Sequence, residues 1–184
     1  YDNDNDLDLY LSNWGPNRLF RNDGDTFTDV AEDFNLTSEE LSNGAGWGDF
    51  NNDGRLDIWA ANIRERDDIF INLENQWTSE GSPDFLSATQ DVVTADYNND
   101  GWLDSFNPGL EMASPAPNGD KYTGLLYKNV TQDSTLLLNN WVKIDLEGAM
   151  NTISNSGWTN KSNKSAVGAR VLVHSGSNNI SREI

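Results

Sequence analysis

Asp49-Phe50-Asn51-Asn52-Asp53-Gly54-Arg55-Leu56-Asp57 returns 47 residues later as Asp96-Tyr97-Asn98-Asn99-Asp100-Gly101-Trp102-Leu103-Asp104. Counted from the first Asp, side-chain oxygens fall at positions 1, 3, 5 and 9, and Gly stands at position 6. Alternate residues of a chain folded sharply around a centre point inward, and the Gly takes a left-handed turn that a Cβ would resist. Position 7 can then offer its backbone carbonyl, and position 9 closes the ring with a carboxylate. A hard cation such as Ca²⁺ wants about six to eight oxygens at roughly 2.3–2.6 Å, and this spacing gathers them from one short stretch. Two complete Ca²⁺ sites are therefore expected. One uses Asp49, Asn51, Asp53, Arg55 and Asp57, and the other Asp96, Asn98, Asp100, Trp102 and Asp104, with Arg55 and Trp102 contributing carbonyls.

A third copy opens the chain as Tyr1-Asp2-Asn3-Asp4-Asn5-Asp6-Leu7-Asp8. On the same frame Asp2 is position 3, Asp4 position 5, Asp6 position 7 and Asp8 position 9, so these four are the candidate ligands. Asn5 stands where Gly is expected, a mild departure because Asn tolerates the left-handed region better than most residues. Position 1 would precede Tyr1. Either the protein continues upstream or this site lacks its first ligand.

The residues after position 9 separate these loops from other acidic calcium loops. An EF-hand loop has 12 residues, ends on a bidentate Glu and runs into a helix. Here Leu9-Tyr10-Leu11 and Ile58-Trp59-Ala60 follow, short apolar runs that read as strands, while the third loop is followed by Ser105-Phe106. The loops are therefore strand-to-strand turns.

The 184 residues carry 30 acids against 12 bases, a formal charge of −18, and ten of those acids lie in the three loops. That balance argues against nucleic acid, whose partners present a basic face. No apolar run is long enough to span a membrane. With no cysteine the chain holds no disulfide, and loops of this kind fill where Ca²⁺ is near millimolar, which favours an extracellular or cell-surface location, with the periplasm as a further option. Sequons at Asn35, Asn129, Asn160, Asn163 and Asn179 carry little weight in so Asn-rich a chain.

Outward from the loops the plan repeats. Asp8 to Asn13 and Asp57 to Asn62 are expected strands, and Arg18 to Val30 reads as a hairpin turning at Asp23-Gly24. Asn17-Arg18-Leu19-Phe20-Arg21-Asn22 is matched by Asp68-Ile69-Phe70-Ile71-Asn72-Leu73, and a Pro/Gly-rich insertion, 107–119, precedes Gly124-Leu125-Leu126-Tyr127-Lys128-Asn129. Short strands and tight turns at a period near 47 indicate an all-β chain of propeller-type blades, each a small sheet that buries its faces only against its neighbours. About three blades make an incomplete ring, so the chain is expected to be part of something longer or to pack against a partner.

Ala45-Gly46-Trp47-Gly48-Asp49 through Ile58 resembles the FG-GAP/VCBS repeat of integrin-α-type propellers. Asn17 to Gly24 followed by Phe27-Thr28-Asp29-Val30-Ala31 resembles the mid-blade hairpin of its cartilage-acidic-protein-like branch. Asn140-Trp141-Val142-Lys143-Ile144-Asp145-Leu146-Glu147-Gly148 and Ser162 to Val173 resemble the ASPIC/UnbV module that follows such repeats. The resemblance implies a calcium-stabilised extracellular propeller over 1–138 and a partial small β module over 139–184, with the family's ligand positions on the residues already named. In the tail, Trp141 to Leu146 and Ala169 to His174 alternate as half-buried strands around a polar linker, 151–164.

Catalytic chemistry finds no foothold. His174 has no nucleophile or acid in a recognisable frame, and metal loops explain the carboxylate spacing better than a glycosidase pair does. Trp47, Trp59 and Trp102 beside or within the loops are expected to pack as core rather than stack on sugars. The favoured function is a non-enzymatic calcium-binding segment for adhesion, matrix or surface assembly, whose partners are another protein, a glycan surface or copies of itself. The alternative is a polysaccharide-binding or polysaccharide-cleaving propeller with structural calcium.

Overall fold

The computed structural model describes residues 1–38, 40–74, 76–83, 89–109 and 124–130, together with strands at 170–175 and 178–183. The chain divides into two compact units, Tyr1–Asn139 and Asn140–Ile184. Among the described residues there is no helix, and so none long and apolar enough to cross a membrane.

The first unit holds three antiparallel sheets in chain order. Blade 1 is β1 (Leu9–Leu11), β2 (Arg18–Asn22) and β3 (Phe27–Asp29). Blade 2 has four strands: β4 (Ser42–Gly48), β5 (Asp57–Asn62), β6 (Asp68–Asn72) and β7 (Trp77–Gly81). Blade 3 is β8 (Val93–Ala95), β9 (Asp104–Pro108) and β10 (Gly124–Tyr127). In every blade consecutive strands are neighbours, so β1, β5 and β9 are equivalent, as are β2, β6 and β10. This is the all-β, blade-by-blade architecture expected from the period, with the ring left open.

Strand β5 shows why one blade cannot stand alone. All six of its residues are buried. Ile58 and Ala60 face a cluster with Tyr10, Leu19, Val30, Ala31 and Leu36 of blade 1, while Trp59 and Ala61 face Val92, Leu103 and Tyr127 of blade 3. A strand whose two faces are both apolar needs a neighbour on each side, and the alternation of the pleat hands one set of side chains to each. Trp59 and Trp47 join these clusters as expected; Trp102 is half-buried and belongs to neither.

Polar clamps close the junctions at the end of the blades away from the loops. Asp67, buried, accepts the Asn62 N–H (3.0 Å), the Trp59 indole N–H (3.1 Å) and the Asn107 amide of blade 3 (2.8 Å). One blade earlier, Asn17 accepts the Asn13 N–H (2.9 Å) and donates to Ser42 Oγ of blade 2 (3.0 Å), which donates in turn to Asn62 (2.7 Å).

Three strands go beyond the sequence expectations. Gly44 to Gly48, whose glycines carry no strand signal of their own, is the body of β4. Ser105-Phe106 lies inside β9, and Trp77–Gly81 closes blade 2 as β7. The hairpin turn forms as expected, with Gly24 at φ +85° and the Asp23 N–H bonded to the Thr26 carbonyl at 2.9 Å. In the second unit β11 (Arg170–Ser175) and β12 (Asn178–Glu183) form an antiparallel hairpin, with His174 opposite Asn179. The expected strand 141–146, the linker 151–164 and nearly all of the insertion 107–119 lie outside the described residues.

Candidate metal centre

The three acidic loops fold alike. Position 4 is left-handed in each, at Asn3, Asn52 and Asn99 (φ 61°, 56° and 59°), and so is position 6, at Asn5, Gly54 and Gly101 (φ 81°, 90° and 88°). Asn5 thus does the work of Gly in the first loop. The conformation at position 4 was not anticipated. Asn is among the few non-glycine residues that reach it at modest cost, and its recurrence at 3, 52 and 99 was the available signal.

Two left-handed residues curl each loop around its own oxygens. In the second loop Asp49 Oδ1 and Asn51 Oδ1 both accept the Asp53 N–H (2.9 and 3.1 Å), and Asp49 Oδ2 accepts the Gly54 N–H (2.9 Å). The third repeats this with Asp96 and Asn98 on the Asp100 N–H (3.1 and 2.9 Å) and Asp96 on the Gly101 N–H (2.9 Å). Asp53 and Asp100 accept the N–H of position 7, Arg55 and Trp102, at 2.9 and 3.1 Å. In the first loop Asp4 N–H bonds to Asp2 (3.2 Å) and Asp6 N–H to Asp4 (2.8 Å).

Position 9 does a different job from the other acids. Asp57 is fully buried, with Oδ2 on the Phe50 N–H (2.8 Å) and Oδ1 on the Asn72 N–H (2.9 Å) at the end of β6. Asp104 is held in the same way by the N–H groups of Tyr97 (3.1 Å) and Asn129 (2.8 Å), and Asp8 by the nitrogens of Tyr1 (2.5 Å) and Asn22 (2.9 Å). Each therefore staples its loop to the strand after next. Burial, reinforced by the charges of Asp53 and Asp49, pushes the Asp57 carboxyl up to about 7, against the two N–H bonds that favour the anion.

Cations also touch the loops. The Arg55 guanidinium pairs with Asp53, and Lys128 Nζ lies 3.5 Å from Asp100. Although its partial desolvation acts in the opposite sense, Asp100 is held below the usual carboxylate range by the Trp102 N–H, the Asn98 amide and Lys128. Asp2 is raised, chiefly by burial and then by Asp8 and Asp4.

The donor chemistry fits a hard cation: every candidate ligand is an oxygen donor, and Asp49 and Asn51 are gathered on the Asp53 amide. Their placement is that of loops closed on their own N–H groups. Among the described residues no three Asp, Glu or His side chains converge as a ready-made metal cluster. Asp53 Oδ1 and Asp100 Oδ1, each accepting one backbone N–H, have a second lone pair to offer a metal, whereas Asp53 Oδ2 is shared by the Asn51 amide and the Arg55 guanidinium, and Asp100 Oδ2 by the Asn98 amide and Lys128.

The loops are also tied to one another. Asn52 Nδ2 donates to the Gly101 carbonyl of the next loop (2.9 Å), and Asn3 Nδ2 to the Gly54 carbonyl (3.4 Å). In return Asn72 Nδ2 donates to the Tyr1 carbonyl (3.1 Å) and Asn129 Nδ2 to the Phe50 carbonyl (2.7 Å). Position 4 reaches forward, and the Asn ending β6 or following β10 reaches back.

The FG-GAP-like repeat profile matches twice, over residues 1–60 and 49–106, more than half of the 184 residues. The chain belongs to the FG-GAP-like repeat family. Its two matched repeats cover the three loops, both blade junctions and the strands between them. Human cartilage acidic protein 1 is 31% identical over 120 residues, which is 60% of this chain and 18% of that protein. The Xenopus tropicalis protein of the same name is 32% identical over 120 residues, with the same coverage. This FG-GAP-like chain therefore spans about a fifth of the length of the relatives it matches.

Proposed function

We propose that this FG-GAP-like segment is a calcium-stabilised, extracellular part of an adhesion or matrix protein and works by presenting a rigid surface rather than by catalysis. What supports this best is the threefold repetition of one loop geometry. In the second and third loops the oxygens at positions 1 and 3 share the position-5 amide, the position-5 carboxylate accepts the position-7 amide, and two left-handed residues hold the turn. Unneutralised, the three carboxylates of such a loop repel one another. A divalent ion bound by Asp49, Asn51, Asp53, the Arg55 carbonyl and Asp57, and likewise by Asp96, Asn98, Asp100, the Trp102 carbonyl and Asp104, supplies the missing charge and makes the turn stiff. Asp2, Asp4, Asp6 and Asp8 offer the corresponding oxygens of the first loop. The kinship with cartilage acidic protein 1 favours a location outside the cell, and the tail's resemblance to ASPIC/UnbV modules is consistent with the β11–β12 hairpin.

Isothermal titration of the calcium-free protein with CaCl₂ tests this. Two sites of comparable affinity are expected from the second and third loops, with Mg²⁺ a poor substitute because it demands a tighter octahedron. Absence of any calcium heat or radiolabelled calcium retention would refute it. A polysaccharide-degrading function is the second reading, and turnover in a screen of acidic and neutral polysaccharides would favour it.

A further inference from the structure

The connection from β3 to β4 leads from blade 1 to blade 2 with its apolar residues turned inward. Ala31 and Leu36 are fully buried, and Phe34 packs edge-on to Tyr1 and tilted against Trp77, with ring centroids 6.0 and 6.4 Å apart. The Leu36 N–H bonds to the Ala31 carbonyl (2.9 Å) and the Asn35 N–H to the Glu32 carbonyl (3.3 Å). Those two bonds make the Schellman pattern, which needs a left-handed residue just before the last donor, usually Gly and sometimes Asn. Here that residue is Asn35, at φ 57°. Phe34 and Leu36 anchor the backbone on either side of it, and Asn35 stands exposed between them.

The turn accounts for an Asn at 35, although Gly would serve it as well, and nothing in the turn calls for Thr37. Asn35-Leu36-Thr37 is an N-x-Thr acceptor sequence. Asn129-Val130-Thr131 has the same pattern and the opposite setting. Asn129 is half-buried, its N–H holds Asp104 Oδ1 at 2.8 Å, and its Nδ2 donates to the Phe50 carbonyl across the junction of blades 2 and 3 at 2.7 Å. A sugar on that nitrogen would stand in the junction, whereas a sugar on Asn35 would extend from an exposed turn. Asn160 and Asn163 lie outside the described residues.

We propose that Asn35 carries an N-linked glycan, transferred from an oligosaccharide held on a lipid pyrophosphate. Asn35 Nδ2 forms a bond to the anomeric carbon, and the bond from that carbon to the pyrophosphate oxygen breaks. The lipid pyrophosphate leaves with the electron pair, one Nδ2 proton passes to a base of the transferring enzyme, and the other amide hydrogen stays in place. The glycan is bulky and solubilising, so it covers the connection between blades 1 and 2 and directs an adhesive partner to another part of the surface. This inference rests on the extracellular location proposed above, because the transfer takes place on the secretory route.

The test is to express the full chain behind a cleavable leader in cultured eukaryotic cells and to map its peptides after enzymatic release of the glycans in heavy-oxygen water. Asn35 is expected to be glycosylated in most of the secreted chain, and Asn129 in very little of it. Asn35→Gly, which suits φ 57°, and Thr37→Ala each remove the signal at that site, while Thr37→Ser keeps it. Asn35→Gly should leave the melting profile of the deglycosylated chain unchanged, since the side chain it removes is exposed. A secreted chain with Asn35 bare overturns the proposal and leaves the extracellular reading standing. Equal occupancy of Asn129 and Asn35 in the secreted chain also overturns it, because the turn would then confer nothing. A chain retained in the cells is mapped in the same way: glycan on Asn35 there supports the site while counting against the extracellular reading, and a bare Asn35 overturns the site.

Discussion

Asn72 and Tyr1, 71 residues apart, are joined by a hydrogen bond from the Asn72 side-chain amide to the Tyr1 carbonyl. The same residue's backbone N–H holds Asp57 Oδ1 at 2.9 Å, so one buried Asn links its own loop's carboxylate to the preceding loop. The equivalent Asn129 does this for the next junction.

Asn72→Ala leaves the Tyr1 and Leu56 carbonyls without their amide partner and opens a small void. A lost buried hydrogen bond of this kind costs about 1–3 kcal/mol. Urea denaturation should show that loss in the midpoint with little change in slope. Asn52→Ala, which removes a bond in a half-buried loop and a residue suited to φ 56°, should cost less than Asn72→Ala. Equal stability of Asn72→Ala and the parent chain would contradict the clamp.

Gly46 sets the distance between blades 2 and 3. A Cβ there would lie 2.9 Å from Val92 Cγ1 and 3.1 Å from the Val92 carbonyl oxygen. Gly46→Ala therefore overpacks the β4–β8 contact, at about 1–3 kcal/mol. Gly81→Ala is the control, because its Cβ would meet only the Arg66 side chain, at 3.4 Å and beyond. Thermal melts of the two variants should separate clearly. If they coincide, blade spacing does not depend on Gly46.

Much of this architecture was legible in the sequence because it rests on local chemistry. The Asp-Gly turn at 23–24, the left-handed glycines at 54 and 101 and the apolar alternation of β5 each follow from nearby residues. The junctions were not, because their partners lie about one period away in the chain. Gly44, Gly46 and Gly48 carry no strand signal of their own, yet Asp91, Val92 and Leu103 lie within contact distance of the Cβ atoms they lack. Asn3, Asn52 and Asn99 stand between the alternate ligand positions, and Asn3 and Asn52 reach to the next loop. For position 9 the sequence suggested only a metal ligand, whereas Asp57 is also a buried staple with two backbone partners.

Asp57 also sets a pH dependence. In the calcium-free folded chain its carboxyl titrates near 7, and in the unfolded chain at about 4. Between those values the folded state holds a proton that the unfolded state lacks. This contribution to stability is full below about pH 4 and is lost as the pH rises through 7. The net charge of −18 pushes the same way as self-repulsion relaxes on acidification. Asp100, lowered, has the opposite sign but is partly exposed and contributes little. Melts in EGTA should therefore show higher midpoints at about pH 5 than at about pH 8, and Asp57→Asn, although less stable overall, should lose much of that slope. A midpoint that rises with pH in EGTA would contradict the assignment.

Asp53→Ala and Asp100→Ala each remove the position-5 ligand of one loop. Each should delete one strong calcium site in a titration and leave the other intact, since the loops touch through backbone carbonyls rather than through shared carboxylates. Loss of both sites from either substitution would mean that the loops bind as a unit.

Thermal melting of the intact chain in excess EGTA and in millimolar Ca²⁺ bears most directly on the claim that divalent ions hold these acidic turns together. Binding to the folded state alone stabilises by mass action, about 2.7 kcal/mol per site at a hundredfold saturation. The midpoint should rise by many degrees in Ca²⁺, and far less in Mg²⁺. Superimposable curves in EGTA and in Ca²⁺ would contradict the account.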